Sequence, residues 1–208
     1  NLCGRIKVID YVKAIVVKVK FLNTGYETYT RAEHIINGTV KDRLMPSVYG
    51  VGFIGDGDCL TKSDGKITKQ YETWRGMIKR CYCPKSLKKN PTYKGCSVAK
   101  EWHNFQVFAE WFDDNYIEGT ELDKDIIING NKIYSPYRCK FVTHAQNTEK
   151  ALAKNYTFTS PCGNKHEIYN LSKFCRENDL HDSTMFQPKN GNHKQHKGWT
   201  RFEAKEDE

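Results

Sequence analysis

The chain has 208 residues, of which 38% are hydrophobic and 12% aromatic. A packed core can form from this composition, so a wholly disordered chain is excluded. No apolar run approaches the roughly 18 residues that a transmembrane helix needs, and residues 1–13 lack the apolar stretch of a secretory signal, so no membrane partner is expected. The 33 Lys and Arg exceed the 25 Asp and Glu and give a formal net charge of +8, which favours a polyanionic partner.

Residues 1–48 are predicted to form a small β-rich module. Positions 16–21 alternate apolar and basic residues with the period of a half-buried strand. A turn at 23–25 leads into a second strand over 26–30, and a short helical turn over 31–36 follows. A module of this length needs neighbouring structure to be stable.

Residues 49–70 are predicted to be a linker. Five glycines fall within sixteen positions of this segment. A phosphate-binding loop is the weaker prediction, because neither GK[ST] nor a strand–GxGxxG–helix context is present.

Residues 71–154 are predicted to form a central domain that begins with two amphipathic helices. The helix predicted over 71–81 has an apolar stripe at Tyr71, Trp74, Met77, Ile78 and Cys81. The helix predicted over 101–112, with an N-terminal signal at Ser97, has a second stripe at Trp102, Phe105, Phe108, Ala109 and Phe112. Both stripes are more typical of a packed core than of cofactor contacts.

Two adjacent blocks of opposite charge cover these helices. Residues 75–100 contain eight basic residues and no acidic one, whereas residues 101–125 contain eight acidic residues and one lysine. We predict a surface that faces a polyanion beside a site that holds a cation. Two solvated faces that neutralise each other are the alternative. The candidate phosphate contacts in this domain are Arg75, Lys79, Arg80, Lys88 and Lys89.

The eight cysteines are scattered along the chain. With no secretory signal, this spacing favours reduced thiols in an intracellular protein over a disulfide framework. Zinc is disfavoured, because the first cysteine pair has a one-residue spacer and no second tight pair follows. The residues with zinc-ligand chemistry are Cys81, Cys83, Cys96 and His103.

A strand, a turn, a second strand and a helix are predicted in the second half of the central domain. The first strand covers 122–128 and the turn 129–131. The return strand begins at 132–134 and resumes at 139–142, and Thr143 is predicted to cap the helix that follows.

Four side chains of this unit offer metal chemistry. Asp123 and Asp125 lie two apart on a predicted strand and so on one face, and His144 and Asn147 share one face of the helix. Such a unit can hold one divalent ion against a phosphodiester, and oxygen ligands favour Mg²⁺ or Mn²⁺. We predict metal ligands at Asp123, Asp125 and Asn147 and catalytic residues at Asp123, His144 and Asn147. A structural hairpin with exposed carboxylates is the alternative.

The string LDKDI…NGNKIYSP…CKFV…N resembles the LDxD…GYxPxNCxWV…N pattern of phage HNH-like nucleases, which use a ββα-metal hairpin. Upstream, PSVYGVGFIGDG, WxxM…RCY and NPTYKGC…EWxxF…FAEWF extend the resemblance, over residues 45–150, to phage HNH or AP2-like endonucleases. The resemblance implies that Asp123 binds the metal and that Asn147 closes the motif. Lys124 departs from the pattern, because many such enzymes keep a general-base His there and a protonated lysine accepts no proton.

This resemblance implies metal-dependent hydrolysis of double-stranded DNA, with His144 or metal-bound water replacing the missing base. The departure at Lys124 favours the alternative, a cleavage-deficient relative that binds DNA as a repressor. Binding of RNA or of a protein by the basic block is a third hypothesis. A phage origin would place the protein in the cytoplasm of the bacterial host. The oligomeric state is not predicted.

Residues 155–202 are predicted to form a separate C-terminal module. It begins with a short strand and a Ser-Pro-Cys-Gly turn. One helix capped by Asn170 and a second capped by Ser183 are joined by a turn at 179–181. Two short helices joined in this way are typical of a helix-turn-helix.

The string SPCGNKHEIYNLSKFCRENDLHDSTMF…QHKGW resembles the NUMOD-type DNA-binding modules appended to phage and intron homing endonucleases. Pro188 departs from that pattern, because it shortens the second helix. We predict phosphate contacts at Lys173, Arg176, Lys189, Lys194 and Lys197 and base contacts at Ser183, Thr184 and Gln187. The whole chain is therefore predicted to be α+β, with a β-rich N-terminal module, a central HNH-like unit, a C-terminal helix-turn-helix and an acidic tail over 203–208.

Overall fold

The computed structural model describes residues 4–152, 154–186 and 195–201. The chain divides into two compact units, residues 1–141 and 142–208, and mixes helices with several small sheets. No helix in the described part is both long and apolar enough to cross a membrane. The predicted tail over 203–208 lies outside the described residues.

The first unit begins with a three-stranded antiparallel sheet. Strands β1 (Ile6–Lys13), β2 (Val16–Phe21) and β3 (Glu27–Thr30) lie in the order β1-β2-β3, and helix α1 (Ala32–Ile36) follows. The prediction of β2 is confirmed at both ends, and the alternate residues Val17, Val19 and Phe21 are buried as its pattern requires. Strand β1 was not predicted, since seven of its eight residues are exposed and no alternating pattern marks it.

The glycine-rich segment 49–70 packs against the main core of the first unit. Its last part is a small hairpin of β4 (Lys62–Ser63) and β5 (Lys66–Ile67). Further upstream, Phe53 N donates to His103 O over 2.9 Å and Phe105 N donates to Phe53 O over 2.9 Å. The segment predicted to be a linker is therefore tied to the helical region by backbone hydrogen bonds.

The side chain of Gln106 organises the turn that these glycines form. It is 4% exposed, accepts from Cys59 N over 2.8 Å and donates to Ile54 O and Cys59 O over 3.2 and 3.1 Å. Gly57 has φ +153°, and a Cβ there would lie 2.5 Å from Gln106 Oε1. Glycine is thus required where the turn passes this amide.

Both predicted amphipathic helices are present, although the second begins at Phe105 and not at residue 101. Helix α2 (Lys69–Tyr82) is capped by Thr68, and helix α4 (Phe105–Asn115) is capped by Asn104. Helix α3 (Pro84–Lys89) and two 3-10 helices, Pro91–Tyr93 and Lys100–His103, connect them. The core of the unit contains the predicted stripes, with Trp74, Met77, Ile78, Trp102, Phe105 and Phe108 fully buried.

Ser97 does not begin a helix as predicted. It lies in strand β6 (Ser97–Val98), and Asn104 caps α4 instead, because its side chain accepts from Gln106 N over 3.0 Å.

The strand–turn–strand unit departs from the prediction in its pairing. Strand β7 (Thr120–Asp123) pairs with β9 (Lys140–Thr143), whereas β8 (Ile133–Tyr134) pairs in parallel with β6. The turn at 129–131 is confirmed, with Asn131 N donating to Ile128 O. The chain between β7 and β9 is therefore a loop fastened to the helical region, not a simple hairpin.

The second unit contains helix α5 (His144–Leu152), strands β10 (Asn155–Thr159) and β11 (Lys165–Tyr169), helices α6 (Leu171–Glu177) and α7 (Asp182–Phe186), and strand β12 (Thr200–Arg201). Its antiparallel sheet has the order β11-β10-β12. Its core is formed by Phe158, Ile168, Leu171, Cys175 and Met185.

The predicted capping residues of the second unit are confirmed at Thr143 and Asn170. Thr143 Oγ1 accepts from Gln146 N over 3.2 Å and Gln146 Oε1 accepts from Thr143 N over 2.9 Å, a reciprocal capping box. Asn170 accepts from Lys173 N over 3.0 Å. Ser183 is not a cap, because α7 begins one residue earlier, at Asp182.

Candidate nucleic-acid interface and metal site

The basic residues between positions 75 and 100 fall into two groups in the structure. Seven are exposed, and in the described part of the chain none of them forms an ion pair with a carboxylate. These seven residues, which we call the basic segment, are Arg75, Lys79, Lys85, Lys88, Lys89, Lys94 and Lys100. A cluster of exposed positive charges without carboxylate partners attracts polyanions and can contact phosphates.

Arg80, the eighth, is half-buried and fastens α2 to β8. Its guanidinium lies 5.7 Å from the ring centroid of Tyr134 and 5.9 Å from that of Tyr93, within the range of a cation–π contact. Burial raises the pKa of Tyr134, so its phenol stays protonated. Arg80 thus holds the β7–β9 loop against α2, and it is not a member of the basic segment.

Asp123 closes a tight turn at the end of β7. Its Oδ1 accepts from Asp125 N over 2.7 Å and from Ile126 N over 2.5 Å. These two bonds close a turn directly after the last residue of β7. The prediction that Asp123 and Asp125 share a strand face is therefore wrong: Asp125 lies beyond the strand.

Lys124 is buried beneath this turn. It is 7% exposed, and its Nζ lies 2.5 Å from Asp125 Oδ2. Its carbonyl accepts from Asn131 Nδ2 over 2.8 Å. A buried ammonium next to a carboxylate is a satisfied ion pair, so Asp125 Oδ2 already has a cationic partner within the protein.

Asn131 is a residue that the sequence analysis missed. Besides the carbonyl of Lys124, its Nδ2 donates to Ile133 O over 2.7 Å and its Oδ1 accepts from Ile133 N over 3.2 Å. Arg138 Nη1 also reaches Oδ1 at 3.4 Å. The Asn-Gly-Asn sequence predicted the turn. Nothing in that sequence indicated that the side-chain amide of Asn131 would form hydrogen bonds to backbone groups on both sides of the turn.

His144 and Asn147 lie on α5, in the second unit, whereas Asp123 and Asp125 belong to the first. His144 is exposed, with Nε2 3.5 Å from Thr148 Oγ1, and Asn147 is half-buried. Their three-residue spacing puts both on one side of the helix, as predicted. Asp123 and Asp125 therefore lie in the first unit, and His144 and Asn147 lie in the second.

No three His, Cys, Asp or Glu side chains of the described residues are grouped in a way that could hold a metal ion. The four residues with zinc-ligand chemistry therefore form no such group. Burial raises the pKa of the Cys81 and Cys139 thiols to about 12, so both are protonated near neutral pH. Mg²⁺ needs only one or two carboxylates besides water, so a Mg²⁺ site does not require a group of three such side chains.

Three candidate phosphate contacts among the described residues of the second unit are already paired with carboxylates. Lys173 lies 3.9 Å from Glu177, Arg176 2.7 Å from Glu149 and Lys197 2.9 Å from Asp179. The Arg176 guanidinium lowers the pKa of Glu149, and the Lys197 ammonium lowers that of Asp179. A phosphate would have to compete with these carboxylates.

The predicted base contacts of the second unit are only partly described. Ser183 is exposed and Thr184 half-buried on the five-residue helix α7. Four predicted or singled-out positions lie outside the described residues, namely Gln187, Pro188, Lys189 and Lys194.

No protein-family model matches the chain, and neither a curated protein nor a solved structure is significantly similar to it.

Proposed function

We propose that the protein binds double-stranded DNA through the basic segment. The observation that carries this proposal is a contrast within the described residues: the exposed cations of residues 75–100 have no carboxylate partner there, whereas Lys173, Arg176 and Lys197 each have one. Phosphate contacts supply most of the affinity of non-specific DNA binding. The contrast therefore supports the basic segment as the main source of affinity.

The binding test compares three double variants with equal changes of charge. Arg75→Glu with Lys79→Glu reverses two members of the basic segment. Lys62→Glu with Lys66→Glu is the matched control, because both lysines are exposed on the β4–β5 hairpin. The third, Lys173→Glu with Arg176→Glu, reverses two paired cations of the second unit.

Affinity for a fluorescently labelled duplex is measured by anisotropy. We expect the first variant to lose at least about tenfold in affinity, since two phosphate contacts become repulsive, and the control to change by less than about threefold. The second-unit variant is expected to fall between them. Equal losses in the first variant and the control would show that only net charge matters and would contradict the proposal.

Binding without cleavage is the form of this function that the loop after β7 supports best. Lys124 occupies the position of the expected base, and its Nζ is engaged by Asp125. One oxygen of Asp123 is engaged by two backbone amides. A repressor-like or competing DNA-binding protein requires neither residue to react.

Metal-dependent phosphodiester hydrolysis is the second candidate. It is favoured by the order of β7, β9 and α5 and by Asp123 Oδ2, which takes part in neither turn bond. The ligand that the first unit would offer to Mg²⁺ or Mn²⁺ is Asp123, and the ion would neutralise charge on the scissile phosphate. His144 would be the proton acceptor.

Nicking of supercoiled DNA distinguishes the two candidates. Metal-dependent nicking by the unchanged protein that disappears in His144→Ala, a substitution at an exposed side chain, would establish hydrolysis. DNA binding with no nicking in either Mg²⁺ or Mn²⁺ is the result that the non-cleaving proposal predicts.

A further inference from the structure

A polar cleft of about 450 Å³ lies between the N-terminal sheet and the glycine-rich segment, within the first unit. Its volume is in the range of small-molecule sites. Its wall is formed by β3, by the chain that follows α1 and by residues 54–61. None of the residues of the basic segment lines it.

The lining of the cleft is rich in donors that suit an anion. Two cationic residues and four threonines line it, namely Lys41, Arg43, Thr28, Thr30, Thr39 and Thr61. The guanidinium of Arg43 is held in place, because its Nη2 donates to Gly57 O over 2.8 Å. Lys41 is exposed, and in the described residues it forms no ion pair.

None of the described residues that line the cleft is acidic. The one thiol in the wall, Cys59, is also uncharged near neutral pH, because burial, and to a lesser extent Asp113, Glu110 and Asp58, raises its pKa. Those three carboxylates do not line the cleft. The wall therefore presents positive charge without a competing negative group.

An aromatic ring and an imidazole complete the wall. Tyr29 is 64% exposed, and Lys18 Nζ lies 5.9 Å from the centroid of its ring, so a planar group would stack on the opposite face of the ring. His34 is placed by Thr30, whose Oγ1 lies 3.4 Å from His34 Nδ1. A ring for stacking near cations and hydroxyls suits a ligand with a planar base at one end and a phosphate at the other.

We propose that this cleft binds a nucleoside phosphate. Lys41, Arg43 and the threonine hydroxyls hold the phosphate, and Tyr29 contacts the base. The same chemistry is offered by a free nucleotide and by the 5′-phosphorylated end of a strand. The site is distinct from the basic segment, so it does not depend on the duplex-binding function.

The test is isothermal titration calorimetry on the full chain with deoxyadenosine 5′-monophosphate and, as the unphosphorylated match, deoxyadenosine. We expect the nucleotide to bind at least about tenfold more tightly than the nucleoside, because only the former offers a charged acceptor. A 5′-phosphorylated dinucleotide distinguishes the two possible ligands. If the dinucleotide binds more tightly than the mononucleotide, the ligand is a strand end. If it binds more weakly, the ligand is a free nucleotide. Equal affinity for nucleotide and nucleoside, or no binding of either, would overturn the proposal.

Three variants locate the binding. Lys41→Glu is expected to weaken nucleotide affinity at least about tenfold, and Thr61→Val, which keeps the size of the side chain, about threefold. Lys66→Glu, an exposed lysine outside the cleft, should leave it unchanged. Arg75→Glu with Lys79→Glu should also leave it unchanged, so loss of duplex binding and loss of nucleotide binding are separable. An unchanged affinity in Lys41→Glu would contradict the site, since this exposed side chain can be replaced without disturbing the core.

Discussion

At the scale of single residues, the loop after β7 is organised by polar side chains that bond the backbone. Asp123 and Asn147 were both predicted as metal ligands. In the first unit, Asp123 Oδ1 accepts hydrogen bonds from two backbone amides. Asn131, a different residue of the same loop, donates to two backbone carbonyls. Buried or half-buried polar groups are stable only when their bonds are made. The loop therefore depends on these groups for its shape, whatever chemistry it performs.

The ion pair between Lys124 and Asp125 gives a prediction on stability. Asp125→Asn leaves the ammonium of Lys124 buried without a counter-charge, which costs about 1–3 kcal/mol, less than a fully buried pair because Asp125 is partly exposed. Asp114→Asn, at an exposed position of α4, is the matched control and should be neutral. Urea unfolding measures both. Adding Lys124→Met to Asp125→Asn should restore part of the loss, and equal stability of Asp125→Asn and the control would contradict the pair.

Thiol reactivity gives a second prediction at this scale. Cys162 is exposed, and the Ser160 hydroxyl, with Oγ 3.1 Å from its sulfur, lowers its pKa. The pKa of Cys81 and of Cys139 is about 12, raised by burial. Because the thiolate is the reactive form, iodoacetamide at neutral pH should label Cys162 well before these two.

Peptide mapping by mass spectrometry measures the order of labelling. Ser160→Ala should shift the pH midpoint of Cys162 labelling upward, because the thiolate loses a donor. Faster labelling of Cys81 than of Cys162 would show that the helical core of the first unit is not packed as described.

At the scale of elements, helices were predicted far better than the connections between strands. The stripes of α2 and α4 follow the helical period, so the sequence around Trp74 and Phe108 determines which face is buried. The pairing of β8 with β6 was not predictable, because two-residue strands have no period of their own and the partner lies about 35 residues away. The same holds for segment 49–70, whose contacts depend on Asn104 and Gln106.

The glycine-rich segment carries a prediction of its own. Gly55 has φ +78°, and a Cβ at this position would collide with Asn104 Oδ1; Gly65 has φ +75° with open space around it. Gly65→Ala should therefore cost only about 1 kcal/mol for the left-handed backbone, whereas Gly55→Ala should cost at least about 2 kcal/mol more, because it also displaces the cap of α4. Thermal or urea unfolding compares them. Equal costs would mean that the segment is the flexible linker that the sequence suggested.

At the scale of the whole molecule, the formal net charge of +8 hides two different arrangements of cations. In the second unit each described candidate cation is paired with a carboxylate, while the basic segment of the first unit forms no ion pair with any carboxylate that the structure describes. The sequence predicted the basic block because it contains no acidic residue, but it could not separate Arg80 from its neighbours. Arg80 differs from the other basic residues because Tyr93 and Tyr134 pack around its guanidinium, and only the structure shows this.

The salt dependence of duplex binding tests the central claim, that the basic segment contacts phosphates. The observed association constant is measured by anisotropy between 50 and 200 mM salt for the unchanged protein and for a variant in which Arg75, Lys79, Lys88 and Lys89 are each replaced by Gln. Each phosphate contact contributes about −0.9 to the slope of log K against log salt concentration, so we predict a steep slope that becomes shallower by about 2 to 4 in the variant. The same slope in both proteins, or a slope near zero in the unchanged protein, would contradict the claim.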